Sequence, residues 1–399
     1  MISIYPRKKL DHSFRNIFSA LSFVLTPRLN ENRILHDIEN LWPKENVIVG
    51  LSVRTIFDTI LTQQKFEDGS EVVMSGITIP DMVEIVEAHG LKIVPVDLDM
   101  DSLQVNRDAI TSALSKKTVM VVAAHLFGSR MDMTPIYDAL YERPDILIVE
   151  DCAQAFDGIG KYTKQSRTDI SMFSFGSIKS VTTLGCAIGF AKEPNFQRQI
   201  KDSLAKYDRV SNTQFLSKVL KYFMLKFLEN PFIYGFFISL CQLMKVDYDN
   251  VIISSIRMVK NAGLLETIRK APPRAQLKYL LHRLSNMNDD HFSKRKEAGD
   301  YVSTRLKRSN VHGFRNDTHS YWLFPIRTPK RSILVKALCD AGFDATFTST
   351  QLISINPTDG GMAPENCEQY MSETIYLPVY ESLPIAKLEI LISVVNDNT

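Results

Sequence analysis

Two residues that could act together in one reaction follow two apolar runs. The run Ile146–Val149 predicts a buried parallel strand that ends at Glu150 and Asp151. Residues 170–175 predict a second strand, and Lys179 follows in a loop flanked by Gly and Ser. This pairing suits pyridoxal phosphate, because a lysine can form a Schiff base with its aldehyde and an acid can pair with its ring nitrogen. Singly, Lys179 could be a solvated lysine and Asp151 a helix cap, so the interpretation depends on the combination.

Three motifs in a fixed order resemble the DegT/DnrJ/StrS family of sugar aminotransferases. His125–Gly128 matches its H-x-x-G loop, Glu150–Gln154 matches E-D-x-A-Q, and Ser174–Lys179 matches S-F-x-x-x-K. The resemblance extends from about Val47 to Lys192 and resumes from Ala271 to the C-terminus. It implies an α/β fold of PLP fold type I, a mainly parallel sheet flanked by helices, with a small C-terminal α+β domain.

The resemblance also implies roles for individual residues. Lys179 would carry the cofactor and act as a base, and Asp151 would hold the protonated ring nitrogen. Gln154 would contact the phenolic oxygen face of the ring, and Ser174 would bind the phosphate. The implied reaction moves an amino group, with glutamate as the donor, to a keto or aldehyde acceptor on a nucleotide-linked sugar. Dehydrating relatives replace the lysine with histidine, so Lys179 favours transamination.

A second phosphate contact is expected where a strand gives way to a helix. Residues 47–49 predict the strand and Ser52–Arg54 the turn, whose free N–H groups and helix dipole would face an anion. The family usually has G-S-G-T here, whereas this chain has Leu51, Ser52, Val53 and Arg54. Arg54 could compensate as a charged donor, or it could be a solvated helix residue.

Two further cofactor contacts are predicted with alternatives. The aromatic residue that stacks on the ring in the family falls on Ile79, which could cover the ring by dispersion only. His125 ends the predicted strand 119–124 and could face the cofactor. A structural histidine with satisfied hydrogen bonds is the competing interpretation.

The chain divides into three parts. Residues 1–46 predict a helical segment, and residues 47–270 a large cofactor-binding domain built from repeated β-α units. An apolar helical insertion is expected at about 195–267, where relatives have a shorter connection. Residues 271–399 predict the small domain. A homodimer is expected, because the family builds each site from two subunits.

Residues 214–245 are rich in aromatic side chains, which will not remain in water. They could enter the protein's own core, a partner subunit or a membrane interface. Lys218, Lys221 and Lys226 suit anionic lipid headgroups, and Arg7, Lys8 and Lys9 could join the same face. The last destination would fit a lipid-like acceptor.

Composition excludes several classes. A net charge of +2 gives no electrostatic case for nucleic acid. The 5 cysteines share no C-x-x-C spacing, so neither a metal site nor a disulfide framework is expected. No apolar run reaches the ~20 residues of a spanning helix, and we expect no signal peptide. The expected location is cytoplasmic, or peripheral at the inner membrane face. A catalytically silent protein of the same fold remains the alternative function, because the phosphate turn and the stacking position are altered.

Overall fold

The computed structural model describes residues 3–26, 28–248, 251, 263–288, 290–307, 316, 318–347 and 351–399. Most of the predicted insertion lies inside these ranges, but residues 249–250 and 252–262 lie outside the described residues.

A sheet of 7 strands lies at the centre of the large domain, in the order β1-β8-β7-β6-β5-β2-β4. Strands β4, β2, β5, β6 and β7 run parallel, and β8 pairs antiparallel with both β7 and β1. The bounds of these strands are β1 Asn46–Gly50, β2 Glu71–Ser75, β4 Lys92–Val96, β5 Thr118–Ala124, β6 Leu147–Asp151, β7 Ile170–Ser174 and β8 Ala187–Ala191.

Helices cover both faces of the sheet, as apolar parallel strands require. On one face of the sheet, an apolar cluster contains residues of β2, β6 and β7 together with residues of the helices 53–64 and 80–88. On the other face, a second apolar cluster includes Met131 and Ile136. The helices up to the insertion are α1 Phe14–Leu25, α2 Glu31–Glu39, α3 Val53–Gln64, α4 Pro80–Ala88, α5 Arg107–Ala113 and α6 Thr134–Ala139. A short strand β3, Ile77–Thr78, pairs with β10, Ile353–Ser354.

The insertion is helical, as expected. It comprises α7 Pro194–Leu204, α8 Asn212–Phe227, α9 Pro231–Leu243 and α10 Leu264–Ile268. A capping box at Ser211 and Gln214 begins α8, whose side chains Phe215, Val219 and Tyr222 are buried. They form one apolar cluster with Ile17 of α1 and other residues. None of the helices in the described ranges has the length and apolar character needed to cross a membrane.

The small domain has its own core around a two-stranded antiparallel sheet of β9, Phe324–Arg327, and β11, Thr374–Leu377. The remaining helices are α11 Arg274–Ser285, α12 Asp290–Ser303, α13 Arg331–Asp340, α14 Glu365–Glu373 and α15 Ile385–Asn398. Helix α11 packs on the large domain through Leu277, Leu280 and Leu284. The core of the small domain therefore begins later in the chain than residue 271. The fold class predicted from the sequence, a mainly parallel sheet with flanking helices, is confirmed.

Candidate active site

Asp151 and Lys179 are placed by neighbouring parallel strands. Asp151 is the last residue of β6, and β7 leads into a tight loop that carries Lys179. The loop is held by bonds from the Lys179 backbone N–H and the Thr182 hydroxyl to the Gly176 carbonyl, at 3.0 and 2.7 Å. The expectation that the strand ends bring these two side chains into one region is supported by the charge interaction between them.

Burial shifts the pKa of both groups toward their neutral forms. It raises the pKa of the Asp151 carboxyl, which accepts a hydrogen bond from the Ala153 N–H at 2.9 Å. It lowers the pKa of Lys179 to about 8, while the charge of Asp151 acts in the opposite direction. Neither residue is in an ion pair within 4.0 Å among the described residues. The carboxyl and the amine are thus both available to a bound group.

Lys179 faces a tryptophan of the small domain. Its Nζ lies 3.8 Å from the centroid of the Trp322 ring. The indole Nε1–H donates a hydrogen bond to the Ile178 carbonyl at 3.0 Å, which fixes the ring against the lysine loop. Trp322 was not predicted as a site residue. It is one of 2 tryptophans in the chain, and that scarcity was the available signal.

His125 is engaged through both ring nitrogens. Its Nε2 lies 2.8 Å from the Glu150 carboxylate, and its Nδ1 accepts a hydrogen bond from the Met131 N–H at 3.1 Å. Burial alone would raise the pKa of Glu150, but hydrogen bonds from His125, Thr168 and Tyr162 outweigh it and lower that pKa. These contacts support the structural interpretation of His125, whose contact with a cofactor stays a prediction.

Glu150, His125 and Cys152 also place potential metal-ligand atoms within 4.8 Å of one another. The Glu150 oxygens are already occupied, because Oε2 interacts with His125 and Tyr162 and Oε1 accepts from Thr168. Burial raises the pKa of the Cys152 thiol, which disfavours the thiolate that binds metals. The cluster of Glu150, His125 and Cys152 therefore serves as a hydrogen-bond network next to Asp151.

The phosphate turn lies at the start of α3. Ser52 caps the helix, and its hydroxyl accepts a hydrogen bond from the Thr55 N–H at 3.1 Å. Val53 is buried, so it offers a bound anion only its backbone. Arg54 forms an ion pair with Asp81 of α4. Arg54 is therefore held by a carboxylate, and its contact with a phosphate stays a prediction.

Helix α8 brings two polar groups to the same end of the site. The charge of Lys218 acts on Arg54 and on Cys186, whose backbone N–H donates to the Leu51 carbonyl at 2.8 Å. The Tyr222 hydroxyl is buried and lies near Ser177 of the lysine loop. Both residues belong to the segment that we predicted to lie in a core, an interface or a membrane. The interpretation of Lys218 as a lipid-facing lysine is not supported by this placement.

The other predicted contacts are Gln154, Ser174 and Ile79. Gln154 accepts a hydrogen bond from the Phe127 N–H at 2.8 Å, so its amide NH₂ remains a donor. The Ser174 hydroxyl accepts one from the Gly176 N–H at 3.3 Å. Ile79 lies just before α4 and packs against both apolar layers of the large domain. All three stay predicted cofactor contacts.

The residues present fit pyridoxal phosphate. A buried carboxyl without an ion-pair partner suits its protonated ring nitrogen, and an amine with a lowered pKa suits its aldehyde. The turn at Ser52, at the N-terminus of α3, suits its phosphate. The fold and the site together define the class of PLP fold type I enzymes.

Comparison with known proteins supports the resemblance. Residues 49–208 match the model of the DegT/DnrJ/EryC1/StrS aminotransferase family. The predicted resemblance is therefore confirmed, and pyridoxal phosphate is the cofactor that the family and fold support.

Individual relatives agree with this assignment. A stretch of 115 residues is 33% identical to UDP-4-amino-4-deoxy-L-arabinose–oxoglutarate aminotransferase of Shewanella sediminis. It covers 29% of this chain and 29% of that enzyme. A sugar aminotransferase from Micromonospora echinospora matches over 100% of both chains, with a TM-score of 0.70 at 15% identity. GDP-4-keto-6-deoxy-D-mannose-3-dehydratase of E. coli, with bound hydrated PLP, has a TM-score of 0.71 at 13% identity over 99% of this chain and 100% of its own.

Proposed function

We propose that this protein is a PLP-dependent aminotransferase that moves an amino group from glutamate to a keto or aldehyde carbon of a nucleotide-linked sugar. The observation that carries the proposal is the pair of Asp151 and Lys179, both partly buried and neither in an ion pair among the described residues. The family match supports the reaction, and the relative from Shewanella sediminis, named for a UDP-linked sugar, supports the acceptor class.

Asp151, Lys179 and Trp322 would each have a separate role in this reaction. When bound, the cofactor supplies an electron sink for the carbon that loses its proton. Asp151 would hold the proton on the ring nitrogen, because a buried carboxylate gains from a cation beside it. The Lys179 Nζ would accept the proton from Cα of the amino donor and return it, since a pKa of about 8 permits both states near neutral pH. Trp322 would hold Lys179 in place through its ring face.

The phosphate end would use a different set of groups from that of relatives. Ser52 and Ser174 would donate hydroxyls, and the first N–H groups of α3 would face the anion. Lys218 would add a positive charge, because the charge of Arg54 is paired with that of Asp81. Tyr222 would donate its hydroxyl, which lies near Ser177 of the lysine loop.

The experiment that tests the proposal combines colour and turnover. A purified enzyme should show an absorbance band at about 410–430 nm that glutamate bleaches. With glutamate and UDP- or GDP-linked 4-keto sugars, mass spectrometry should detect the amino sugar. A colourless protein that never binds the cofactor would support the silent alternative. A coloured protein that is inert to every donor would contradict transamination.

We further propose a homodimer, since the family builds each site from two subunits. Light scattering at micromolar concentration should give twice the mass of one chain. Full activity in a monomer would contradict this.

A second candidate function is amino transfer to a lipid-linked acceptor at a membrane surface. The observation that favours it is an apolar face on α1, α8 and α9. Phe18, Phe232 and Phe236 are 58%, 60% and 56% exposed. Phe14 packs against Phe223 and Phe227, with ring centroids 5.8 and 5.4 Å apart, which joins α1 to α8. The three helices contain no acidic residue, which suits an anionic lipid surface.

The basic residues that we predicted for this face need correction. Lys226 is paired with Glu229 at 2.6 Å, and Arg7 with Asp344 at 2.6 Å. Lys8 lies over the Trp322 ring. Of the predicted set, Lys221 and Lys9 have neither an ion-pair partner within 4.0 Å among the described residues nor a position over the Trp322 ring, so apolar contact would have to supply most of the binding.

Co-sedimentation with phosphatidylserine and phosphatidylcholine vesicles tests this candidate. Replacing Phe18, Phe232 and Phe236 with Ser should abolish binding. A control with Ile333 and Ile385 replaced by Ser should not, because these residues are equally exposed, at 59% and 62%, on the small domain. Negligible binding by the unmodified protein would contradict this second candidate function.

A further inference from the structure

A cavity lies between the lysine loop, the N-terminal residues 7–11 and the small domain. Lys8, Lys179 and Arg295 line it together with Trp322, Asp11 and Glu381. It is the space into which the candidate catalytic amine faces. Its lining therefore bears on what binds beside Lys179.

Two lysines share one aromatic ring in this cavity. The Nζ atoms of Lys8 and Lys179 lie 3.7 and 3.8 Å from the centroid of Trp322. Lys8 also donates to the Trp322 carbonyl at 3.5 Å. A ring can stabilise a cation through its face, but it supplies no negative charge to balance two of them.

Arg295 adds a third cation and is only 7% exposed. Its Nε donates to the Ser320 carbonyl at 2.8 Å, and its Nη2 donates to the Ser180 hydroxyl at 3.0 Å. These are neutral acceptors. Among the ion pairs of the described residues, none includes Arg295 or Lys8. A buried guanidinium without a carboxylate is costly unless a ligand supplies the anion.

The nearest carboxylates are already engaged by other cations. His291 lies 3.2 Å from Asp11 and 3.3 Å from Glu381, and Arg283 lies 3.2 Å from Asp11. Burial lowers the pKa of His291, but the contacts with both carboxylates outweigh it and raise that pKa to about 9. His291 is therefore charged at neutral pH and is in contact with both carboxylates. The charges of Asp11 and Glu381 also act on Arg295, but neither carboxylate forms an ion pair with Arg295 or Lys8.

The backbone fixes Lys8 in this position. The Tyr5 N–H donates to the Gly342 carbonyl at 2.8 Å, and the Asp344 N–H donates to the Tyr5 carbonyl at 2.9 Å. The Arg7 guanidinium binds the Asp344 carboxylate at 2.6 and 2.7 Å. Beyond Lys8, the Val181 N–H donates to the Asp11 carboxylate at 2.5 Å, which ties the segment to the lysine loop. Lys8 thus belongs to a built site.

We propose that Lys8 and Arg295 form a carboxylate-binding subsite beside Lys179, which holds the carboxylate of the acidic amino donor. This inference rests on the proposed aminotransferase function. A carboxylate fits better than the phosphates of a nucleotide, although both present anionic oxygens. In an amino acid the carboxylate is attached to the carbon that carries the amine, so its subsite must adjoin the reacting lysine. In a nucleotide-linked sugar the phosphates lie several bonds from a 4-keto carbon.

The burial of Lys8 supports this subsite. Desolvation, followed by the charges of Lys179 and Arg295, lowers the pKa of Lys8 well below its ordinary value. A bound carboxylate would reverse that shift, because an opposite charge favours the ammonium form. Binding of a dicarboxylate should therefore be accompanied by proton uptake.

The test measures binding of succinate and of UDP to the cofactor-loaded enzyme by titration calorimetry. Succinate carries the carboxylates of the donor without an amine or keto group. We expect Lys8→Met to weaken succinate binding by about tenfold or more, since a charge-assisted contact is lost. The matched control is Lys336→Met, which replaces an exposed lysine of α13 outside the cavity and should bind succinate like the parent. UDP binding should be equal in all three proteins.

A second variant shows whether a loss of succinate binding by Lys8→Met reflects misfolding. Arg295→Lys keeps a cation but removes the planar fork, and we expect it to weaken succinate as well. Parent-like succinate binding by both Lys8→Met and Arg295→Lys would overturn the subsite, as would a parent enzyme that binds no succinate. Loss of UDP affinity with unchanged succinate affinity would assign the cations to a phosphate instead. The cofactor band and amino transfer, measured separately on the parent, show whether the proposed function itself fails.

Discussion

Asp151 and Lys179 follow adjacent parallel strands and have pKa shifts of opposite sign in one buried region. Burial raises the pKa of the acid and lowers that of the amine, while their mutual attraction opposes both shifts. Pairs of titratable groups whose pKa values are shifted in opposite directions are typical of acid–base sites. Asp151 and Lys179 are therefore the first residues to test by mutation.

Replacing Lys179 by Ala should abolish amino transfer while leaving the fold intact. No other lysine in the described chain follows a strand end beside Asp151, so no other amine can take the proton. The measurement is turnover with glutamate, checked by circular dichroism. Substantial turnover by a folded Lys179→Ala protein would show that another residue carries the chemistry.

Asp151→Asn should lower turnover at least tenfold, the equivalent of about 1.4 kcal/mol in the barrier. The amide can still accept the hydrogen bond from the Ala153 N–H, which should preserve the local fold. It lacks the negative charge that would keep a ring nitrogen protonated. Equal turnover by parent and variant at neutral pH would exclude Asp151 as the partner of the ring.

Lys218→Met should weaken retention of the cofactor by about tenfold or more, from the loss of a charge-assisted contact of roughly 1.5–3 kcal/mol. Lys221→Met on the same helix is the matched control. The readout is the dissociation constant of pyridoxal phosphate compared with that of pyridoxal, which has no phosphate. If Lys218→Met weakens both compounds equally, its effect does not come from the phosphate.

In the cofactor-free protein, the contribution of Lys179 to stability should increase as the pH rises from about 8 to 10.5. The folded pKa of Lys179 is about 8 against an ordinary value of 10.5, so the folded state binds fewer protons in this window. Denaturant titrations should give a smaller increase in the free energy of unfolding for Lys179→Met than for the parent. Identical pH slopes in the two proteins would show that Lys179 is not a buried amine of lowered pKa.

His291→Gln should destabilise the protein at pH 6 and have little effect at pH 10. Its raised pKa of about 9 stabilises the fold below pH 6.5, and that stabilisation is lost as the pH rises through 9. The contacts concerned tie Asp11 to Glu381 of the small domain. Thermal melts at the two pH values provide the measurement, and an equal loss at both would contradict the charge-based account.

The residues that sequence analysis could place are those fixed by local pattern. Asp151 and Lys179 each follow a short apolar run, and the carboxyl ends of parallel strands meet at one edge of a sheet. Trp322, Arg295 and Lys8 come to the same cavity from the small domain and the N-terminus. No local spacing joins them to Lys179, so only the packing of distant elements could reveal them.

Helix α8 is a second case in which the sequence alone could not place a side chain. Its aromatic residues predicted burial of some kind, and Phe215, Val219 and Tyr222 are indeed buried. Lys218 lies on the buried side as well, where its charge acts on Arg54. Composition alone could not distinguish a lysine aimed at an anion site from one aimed at lipid.

The most direct test of the account is to trap the cofactor on the protein. The enzyme is incubated with pyridoxal phosphate, reduced with borohydride, digested, and analysed by peptide mass spectrometry. We predict that the reduced cofactor is attached to the peptide that contains Lys179, and that prior bleaching with glutamate prevents the attachment. Attachment at another lysine, or no attachment in a folded protein, would contradict the assignment of Lys179 as the catalytic amine.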